Sequence, residues 1–465
     1  MTDLASLLSS ATERLATYRA SLGDAPVSGP VEARALRAAL GGPLPETPSP
    51  PSEVLRQLDD AVRPGLVASA GPRYFGFVVG GTLDSALCAD VLTTGWDQVA
   101  FNAVTSPAAA VAEEVAGAWL KELLGLPGAA SFGLVTGGQG ANTVALAVAR
   151  HHVLAAAGWD VESDGLVGAP AVRVLAGEAR HATIDRSLRL LGLGNASVRE
   201  VPTSEDGRID LAALGTALDE RPGGPTIVCL QAGEVNTGGF DDLVAGCEAA
   251  HGHGAWVHVD GAFGLWAAAS PATAHLVAGH ESADSWACDG HKWLNVPYDC
   301  GYIFCAHPDD HAAAMGLSAA YLVGQGAGGI RNPSDFVPES SRRARGFATW
   351  AAIRQLGRQG VAELVERCCS LARRFAAGLD GRGSCRVVNQ VVLNQVLVSF
   401  GDDDLTDKVV ATVQGEGTCW VGATTWKGRR LVRISVSNAT TTEDDVDRSV
   451  RAILDAASRA PRLTA

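Results

Sequence analysis

Lysine is scarce in this chain: of 37 basic residues only four are lysines, Lys121, Lys292, Lys408 and Lys427. Chemistry that needs a free amine therefore has few candidates. Long apolar runs are missing as well. No stretch approaches the roughly 20 apolar residues that span a bilayer, and no basic segment leads into an apolar run at the start, so a cytoplasmic protein with no membrane partner is expected. The ten cysteines are scattered without a C-x-x-C pair, and Cys368 and Cys369 are adjacent. Reduced thiols in a core are the expectation. Positive charge is in deficit, with 51 acidic residues against 37 basic ones and a formal charge of −14, which argues against nucleic acid as a partner. The chain has no G-K-[ST] phosphate loop and no G-x-S-x-G elbow. Its Gly138-x-Gly140 pair runs on to Thr143 where a dinucleotide fingerprint places a third glycine.

What is present reads as a large globular protein of 465 residues, 47% hydrophobic and 19% charged, enough for two or three domains. Residues 1–75 suggest a helix, a proline-rich extended joint at 43–53 and a second helix. Across 76–350, short apolar runs at 133–135, 171–176, 226–231, 255–260 and 301–306 alternate with helical patterns, among them 181–194 and one opening near Phe240. That alternation predicts an α/β unit with a mostly parallel sheet covered by helices on both faces. Residues 351–465 predict a smaller α+β domain: a helix over 361–380, strands near 386–399 and 431–436, and a last helix over 442–458.

Three features fall at the carboxyl ends of predicted strands, where open α/β sheets bind ligands. In TGGQGAN (136–142), Gly137, Gly138 and Gly140 precede a helix. Bare backbone N–H groups and the positive helix end suit a phosphate there, though a structural turn uses the same glycines. Asp260 closes WVHVD, where a carboxylate needs either a positive partner or a helix to cap. Lys292 stands among Trp286, Trp293, Leu294 and Val296. An amine in that setting is either a lysine reaching for solvent or one kept neutral enough to form a Schiff base, which arginine cannot do. Phosphate cradle, buried acid and activated lysine together describe pyridoxal 5′-phosphate. His251, His253, His258 and Asp260 form the one metal-like cluster. They fall at opposite ends of an extended stretch, so helix-end and core histidines are expected there and no metal site.

The runs D-G-H-K-W at 289–293, H-V-D-G-A at 258–262 and T-G-G-Q-G-A-N, with a histidine opening a helix at 181, resemble the group II pyridoxal-phosphate-dependent decarboxylases of aromatic amino acids, glutamate and histidine. The resemblance implies the fold-type I, aminotransferase-like architecture and decarboxylation of an L-amino acid to its amine and CO2. It also implies a homodimer, residues 1–75 taking part in dimerisation. Lys292 matches the residue that binds the cofactor aldehyde, His291 the histidine on the phosphate side, Asp260 the partner of the pyridine nitrogen and His181 the residue stacked on the ring. Gly137, Gly138 and Gln139 match the phosphate turn, and Asp289 and Asn236 are expected among the cofactor contacts. Val99 and Phe101 match positions that reach the neighbouring subunit's substrate pocket.

Two departures qualify the expectation. The family's mobile loop usually carries a tyrosine that protonates the carbanion, and residues 324–347 contain none; by position Asn332 or a neighbour takes its place. Relatives lacking that tyrosine can pass the carbanion to oxygen and yield an aldehyde, and aminotransfer or carbon–carbon cleavage are further outcomes on the same cofactor. Glycines at 324, 326, 328 and 329 suggest a hinge, and Arg331, Arg342, Arg343 and Arg345 suggest a solvated basic lid in preference to a set of contacts for an acidic substrate. At 234–237, Glu234 and Val235 replace hydroxyl residues, leaving Asn236 and Thr237 for polar contacts.

Overall fold

The structure, a computed structural model, describes residues 3–28, 32–317 and 329–459. Three helices open it, α1 (Leu4–Ser21), α2 (Ala33–Leu40) and α3 (Pro51–Val62). One more helix forms than the sequence suggested, and none of the three buries a residue against its own chain. Two further helices follow, α4 (Asp84–Trp96) and α5 (Pro107–Leu123).

The centre is a seven-stranded sheet built from β1 (Ser131–Val135), β2 (Arg173–Gly177), β3 (Val198–Val201), β4 (Thr226–Gln231), β5 (Trp256–Asp260), β6 (Ser285–Asp289) and β7 (Gly301–Cys305). Their order is β1-β7-β6-β5-β4-β2-β3. Only β7 runs against its neighbours; the other pairings are parallel. Every strand except the edge strand β3 is buried along its whole length, which is why each reads as a continuous apolar run. The connections carry α6 (Gly138–Ala156), α7 (Val161–Asp164), α8 (Ala182–Leu190), α9 (Leu211–Asp219) and α10 (Leu243–His251), and α11 (Pro308–Met315) follows β7. Side-chain caps set several starts: Asp242 accepts from the Ala245 N–H, so α10 begins after it and not at Phe240.

A long helical run, α12 (Gly346–Leu379), crosses the expected boundary at 350/351. It breaks at Gly357, whose φ of 61° lies in the left-handed region, so the expected helix from 361 is its second half. Beyond it lie β8 (Arg386–Val387), β9 (Gln395–Ser399), α13 (Asp403–Glu416), β10 (Gly422–Trp426), β11 (Arg429–Ser435) and α14 (Glu443–Arg459), with the strands in an antiparallel sheet of order β10-β11-β9-β8. Strand β10 escaped the sequence reading because GATTW is a half-buried edge with no apolar run. One apolar cluster, including Phe75, Trp293, Phe375 and Val432, joins this small sheet to the large one.

The arginines read as a solvated lid are paired with acids, and of the four Arg343 alone keeps as much as 37% side-chain exposure. Arg342 is buried and pairs with Glu113 of α5, itself 0% exposed, while donating to the Ala100 and Leu134 carbonyls. Arg331 lies between the Phe132 and Phe336 rings, 4.1 Å from each centroid. Burial lowers its pKa to about 10 against the pull of Glu113. Arg345 holds Asp299 at 2.8 Å and Arg343 holds Asp90 at 2.8 Å. Carboxylates from distant segments, Glu113 alone of them fully buried, meet these residues, which a one-dimensional reading cannot show. Gly324, Gly326 and Gly328 lie outside the described residues.

Candidate active site

The carboxyl ends of β1, β5 and β6 deliver the chemistry to one place. A cavity of about 140 Å³ is lined by Gly138, Gln139, Asn142, His181, Thr183, Asp260, Asp289, Lys292 and Arg433, with Phe77, Val235 and Phe263 among its apolar wall. A wider groove of about 980 Å³ runs along Thr203–Ala212 and Phe240–Val244 and includes none of these catalytic candidates.

Lys292 follows β6 in a single turn of wide helix, Gly290–Leu294, and its Nζ lies 3.0 Å from Asp289 Oδ2. The flanking Trp286, Trp293, Leu294 and Val296 are buried as expected, but the amine itself meets a carboxylate and not an apolar wall. Asp289 Oδ1 also accepts the Gly138 N–H at 2.5 Å, so one acid ties the lysine to the start of α6. The glycines are required here by space: a Cβ on Gly137 would come 2.8 Å from His291 Cε1, and one on Gly138 2.8 Å from Asp289 Oδ2. His291 stacks on Tyr298 at 4.3 Å and accepts from the Cys300 N–H through Nδ1. Burial lowers its pKa, opposed by Asp289.

Asp260 is held by neutral groups. Asn142 donates from Nδ2 to Asp260 Oδ2 at 3.0 Å, and its Oδ1 meets His258 Nε2 at 2.9 Å. His258 Nδ1 meets Ser285 Oγ, which also accepts from Trp256 Nε1. The directions agree along the chain with His258 carrying its proton on Nε2 and Nδ1 accepting from the Ser285 hydroxyl. Burial enforces that state, pushing the His258 pKa down to about 4 against the influence of Asp260. His311, far from the cavity and bonded to Ser131 and the Phe336 carbonyl, is likewise pushed down by burial, to about 3. Both imidazoles titrate near 6.5 once unfolded, so the unfolded chain takes up protons first as pH falls and stability is lost from about 6.5 toward 4. The thermal midpoint is expected to be lower at pH 5 than at pH 7, by less in His311→Gln than in wild type; an equal drop in both would contradict this.

His181 caps α8, its Nδ1 2.8 Å from Thr183 Oγ1 and accepting from the Thr183 N–H, which leaves the proton on Nε2. Desolvation in the cleft lowers its pKa, offset by Asp260. Gln139 bonds Ser187 through Nε2 at 2.9 Å, while its Oε1 is buried without a partner. Asn236 is not brought to the cavity: its amide donates to Glu234, and its oxygen accepts from Thr424. Thr237 also closes onto Glu234, whose pKa burial raises. Neither Val99 nor Phe101 lines the cavity of its own chain. Asn332 is buried, accepting from the Ala103 N–H. The four metal-like residues separate: His251 pairs with Asp284, His253 with Asp219, and His258 and Asp260 join through Asn142.

Sequence reasoning missed three contributors. Arg433 is a charge inside the apolar run LVRISV, a signal that could have been used; its Nη1 donates to the Val235 carbonyl at 3.2 Å and, among the described residues, it forms no ion pair. Asn142 stood in the glycine motif without a role. Phe77 and Val78 hold left-handed φ values of 53° and 55°, rare for such side chains, which sets Phe77 at the cavity beside Trp420.

Residues 34–401 match the pyridoxal-dependent decarboxylase conserved domain. The chain belongs to that family. It is 28% identical to an aromatic-L-amino-acid decarboxylase of Bacillus atrophaeus, over 91% of this chain and 89% of that protein. It is 25% identical to a phenylacetaldehyde synthase of a Rosa hybrid cultivar, over 92% and 89%. The crystal structure of Oryza sativa TDC with PLP and tryptamine matches with a TM-score of 0.91 at 25% identity, covering 98% of each chain. The fold is therefore the fold-type I, aminotransferase-like α/β architecture, and the chain is a pyridoxal-phosphate-dependent carboxy-lyase that decarboxylates an L-amino acid. The cavity suits the cofactor on its own terms. It offers a cradle that two Cβ atoms would fill, a lone buried acceptor on Gln139, and a desolvated Asp260 that forms no ion pair among the described residues.

Proposed function

We propose that Lys292 is the residue that binds the cofactor, that Asp260 faces its ring nitrogen, and that the substrate is an aromatic L-amino acid. The observation carrying this reading is that Lys292, Asp260 and the first turn of α6 line one cavity. When bound, pyridoxal phosphate supplies an aldehyde that captures amines and a protonated ring that takes up an electron pair.

The protein's own groups do the rest. Asp289, 3.0 Å from the Lys292 amine, holds it in place and balances its charge whenever the amine is free. The turn Gly137–Gln139 and the positive end of α6, with His291 behind them, are placed for the phosphate, the Gly138 N–H being held by Asp289. Asn142, fixed by the neutral His258, aims the Asp260 carboxylate so that its charge is already oriented when charge develops. His181, with its proton on Nε2, packs a flat ring at the cavity and can donate at the substrate's α-carbon. Phe77, Val235 and Phe263 form an apolar wall suited to an aromatic side chain, and Arg433 offers a cation to an anionic group. The names of the curated relatives support the aromatic class.

Asn236, Val99 and Phe101 enter this reading only as contacts completed in the assembly. We place the enzyme in a homodimer, for which the exposed Leu4, Leu8, Leu44 and Val54 of the N-terminal segment 1–75 are the apolar surface. We assign 76–350 to the cofactor-binding domain and 351–465 to the small domain, with α12 running across the boundary between them. No helix is long and apolar enough to cross a membrane among the described residues. All ten cysteines are free, nine of them buried, which favours the reducing cytoplasm.

A second outcome, aldehyde formation with oxygen uptake, is favoured by the missing loop tyrosine and by the resemblance to a phenylacetaldehyde synthase. Product analysis separates the two. Incubated with tryptophan, tyrosine, phenylalanine, glutamate and aspartate, the enzyme is expected to release amine and CO2 in equal amounts from an aromatic substrate without consuming oxygen. Aldehyde with peroxide would replace that outcome by the oxidative one, and turnover of only the acidic pair would overturn the substrate class.

A further inference from the structure

Away from the cavity, side chains from two segments distant in sequence converge. His152 lies near the end of α6, 14 residues and so roughly 21 Å along the helix from Gly138. His307 follows β7, and Asp310 stands in the first turn of α11. One ligand atom from each of these three falls within 4.8 Å of the others. His152 Nδ1 is 2.6 Å from Asp310 Oδ2, and the two imidazole centroids are 5.2 Å apart. We propose that His152, His307 and Asp310 bind a divalent transition-metal ion, Zn2+ by the chemistry of the donors, with a fourth position left to water.

The donor set is two imidazoles and a carboxylate, a combination that suits zinc and excludes the all-oxygen preference of calcium and magnesium. What lies behind the donors is an independent support. Asp284 Oδ1 takes His307 Nε2 at 2.7 Å, which fixes that ring's tautomer and frees Nδ1, the carboxylate–histidine arrangement that orients metal ligands. Asp284 is itself held by the Val257 N–H at 2.7 Å and His251 Nε2 at 3.0 Å. The indole of Trp256 closes one side, 5.0 Å from His152 and 4.9 Å from His307, giving the site an apolar wall. The donors remain accessible, with side-chain exposures of 40%, 28% and 37% for His152, Asp310 and His307, so an ion can enter without unfolding. An ion there would clamp the far end of α6 to the start of α11 and the end of β7. None of the three residues lines the cofactor cavity, so the clamp is structural.

The test uses chelator-treated holoenzyme and a His152→Gln/His307→Gln variant, titrated with ZnCl2 against a chromophoric indicator and, separately, with CoCl2. Wild type is expected to bind one more equivalent of Zn2+ than the variant, or to bind it about tenfold or more tightly, and to gain thermal stability that the variant does not. The Co2+ form should show visible bands of nitrogen and oxygen ligation without the ultraviolet band of a thiolate, and decarboxylation should be equal in both proteins. Absence of binding, equal binding by the variant, or a thiolate band pointing to the exposed Cys88 would overturn the assignment.

Discussion

Replacing Lys292 with alanine abolishes the visible absorbance that marks covalent attachment of the cofactor aldehyde to the protein and lowers turnover by about 10⁴-fold or more. No other amine can take over. Lys121 is bound to the Gly128 and Ala130 carbonyls, Lys427 is paired with Glu178 at 2.6 Å, and Lys408 lies exposed on α13. Lys292→Arg is the sharper variant, because it keeps the positive charge beside Asp289 and the length of the chain while removing a nitrogen that can be neutral. It is expected to lose as much as the alanine variant, with cofactor still retained by the phosphate cradle. Borohydride reduction of wild type followed by peptide mass analysis should place the label on Lys292. A Lys292→Arg enzyme that keeps a tenth of wild-type turnover would show that position 292 serves charge alone.

Much of this site was readable because its parts sit where strands end. Lys292, Asp260 and the glycine turn each follow an apolar run, and parallel strands bring such ends to one edge whatever the order of the sheet. The order itself, with β7 reversed between β1 and β6, was not readable, because a buried antiparallel strand has the same apolar texture as a parallel one. The residues behind the site were hidden for a different reason. Asn142 supports Asp260 from 118 positions away, and Glu113 neutralises Arg342 from 229 positions away; only the fold makes those pairs. The same limit turned a set of acid-paired arginines into an apparent basic lid. Local signals fared better, although caps such as Asp242 moved helix starts by two or three residues and the half-polar edge β10 left no pattern to detect.

Asp260→Asn is expected to lower turnover by about 10²- to 10³-fold while the cofactor stays bound, a loss of the size that follows removal of one preorganised electrostatic contact. The substitution preserves shape and the chance of accepting from the Ala262 N–H, now 3.3 Å from Oδ1, so folding is little disturbed. What disappears is the charge. In the wild type that charge sits in a cavity at 6% exposure, supported by neutral Asn142 and by no ion pair among the described residues, so its desolvation is unbalanced until a cation arrives. A protonated ring nitrogen is that cation, and the electron-withdrawing power of the ring depends on its staying protonated. Asn142→Ala should show a smaller fall of the same kind, since it frees the carboxylate to rotate without removing it. Measured as kcat with cofactor saturating, and as cofactor affinity by fluorescence titration, the two variants are expected to rank in that order with affinity changing less than turnover. Full turnover by Asp260→Asn would mean that the charge at position 260 plays no part in holding the electrons.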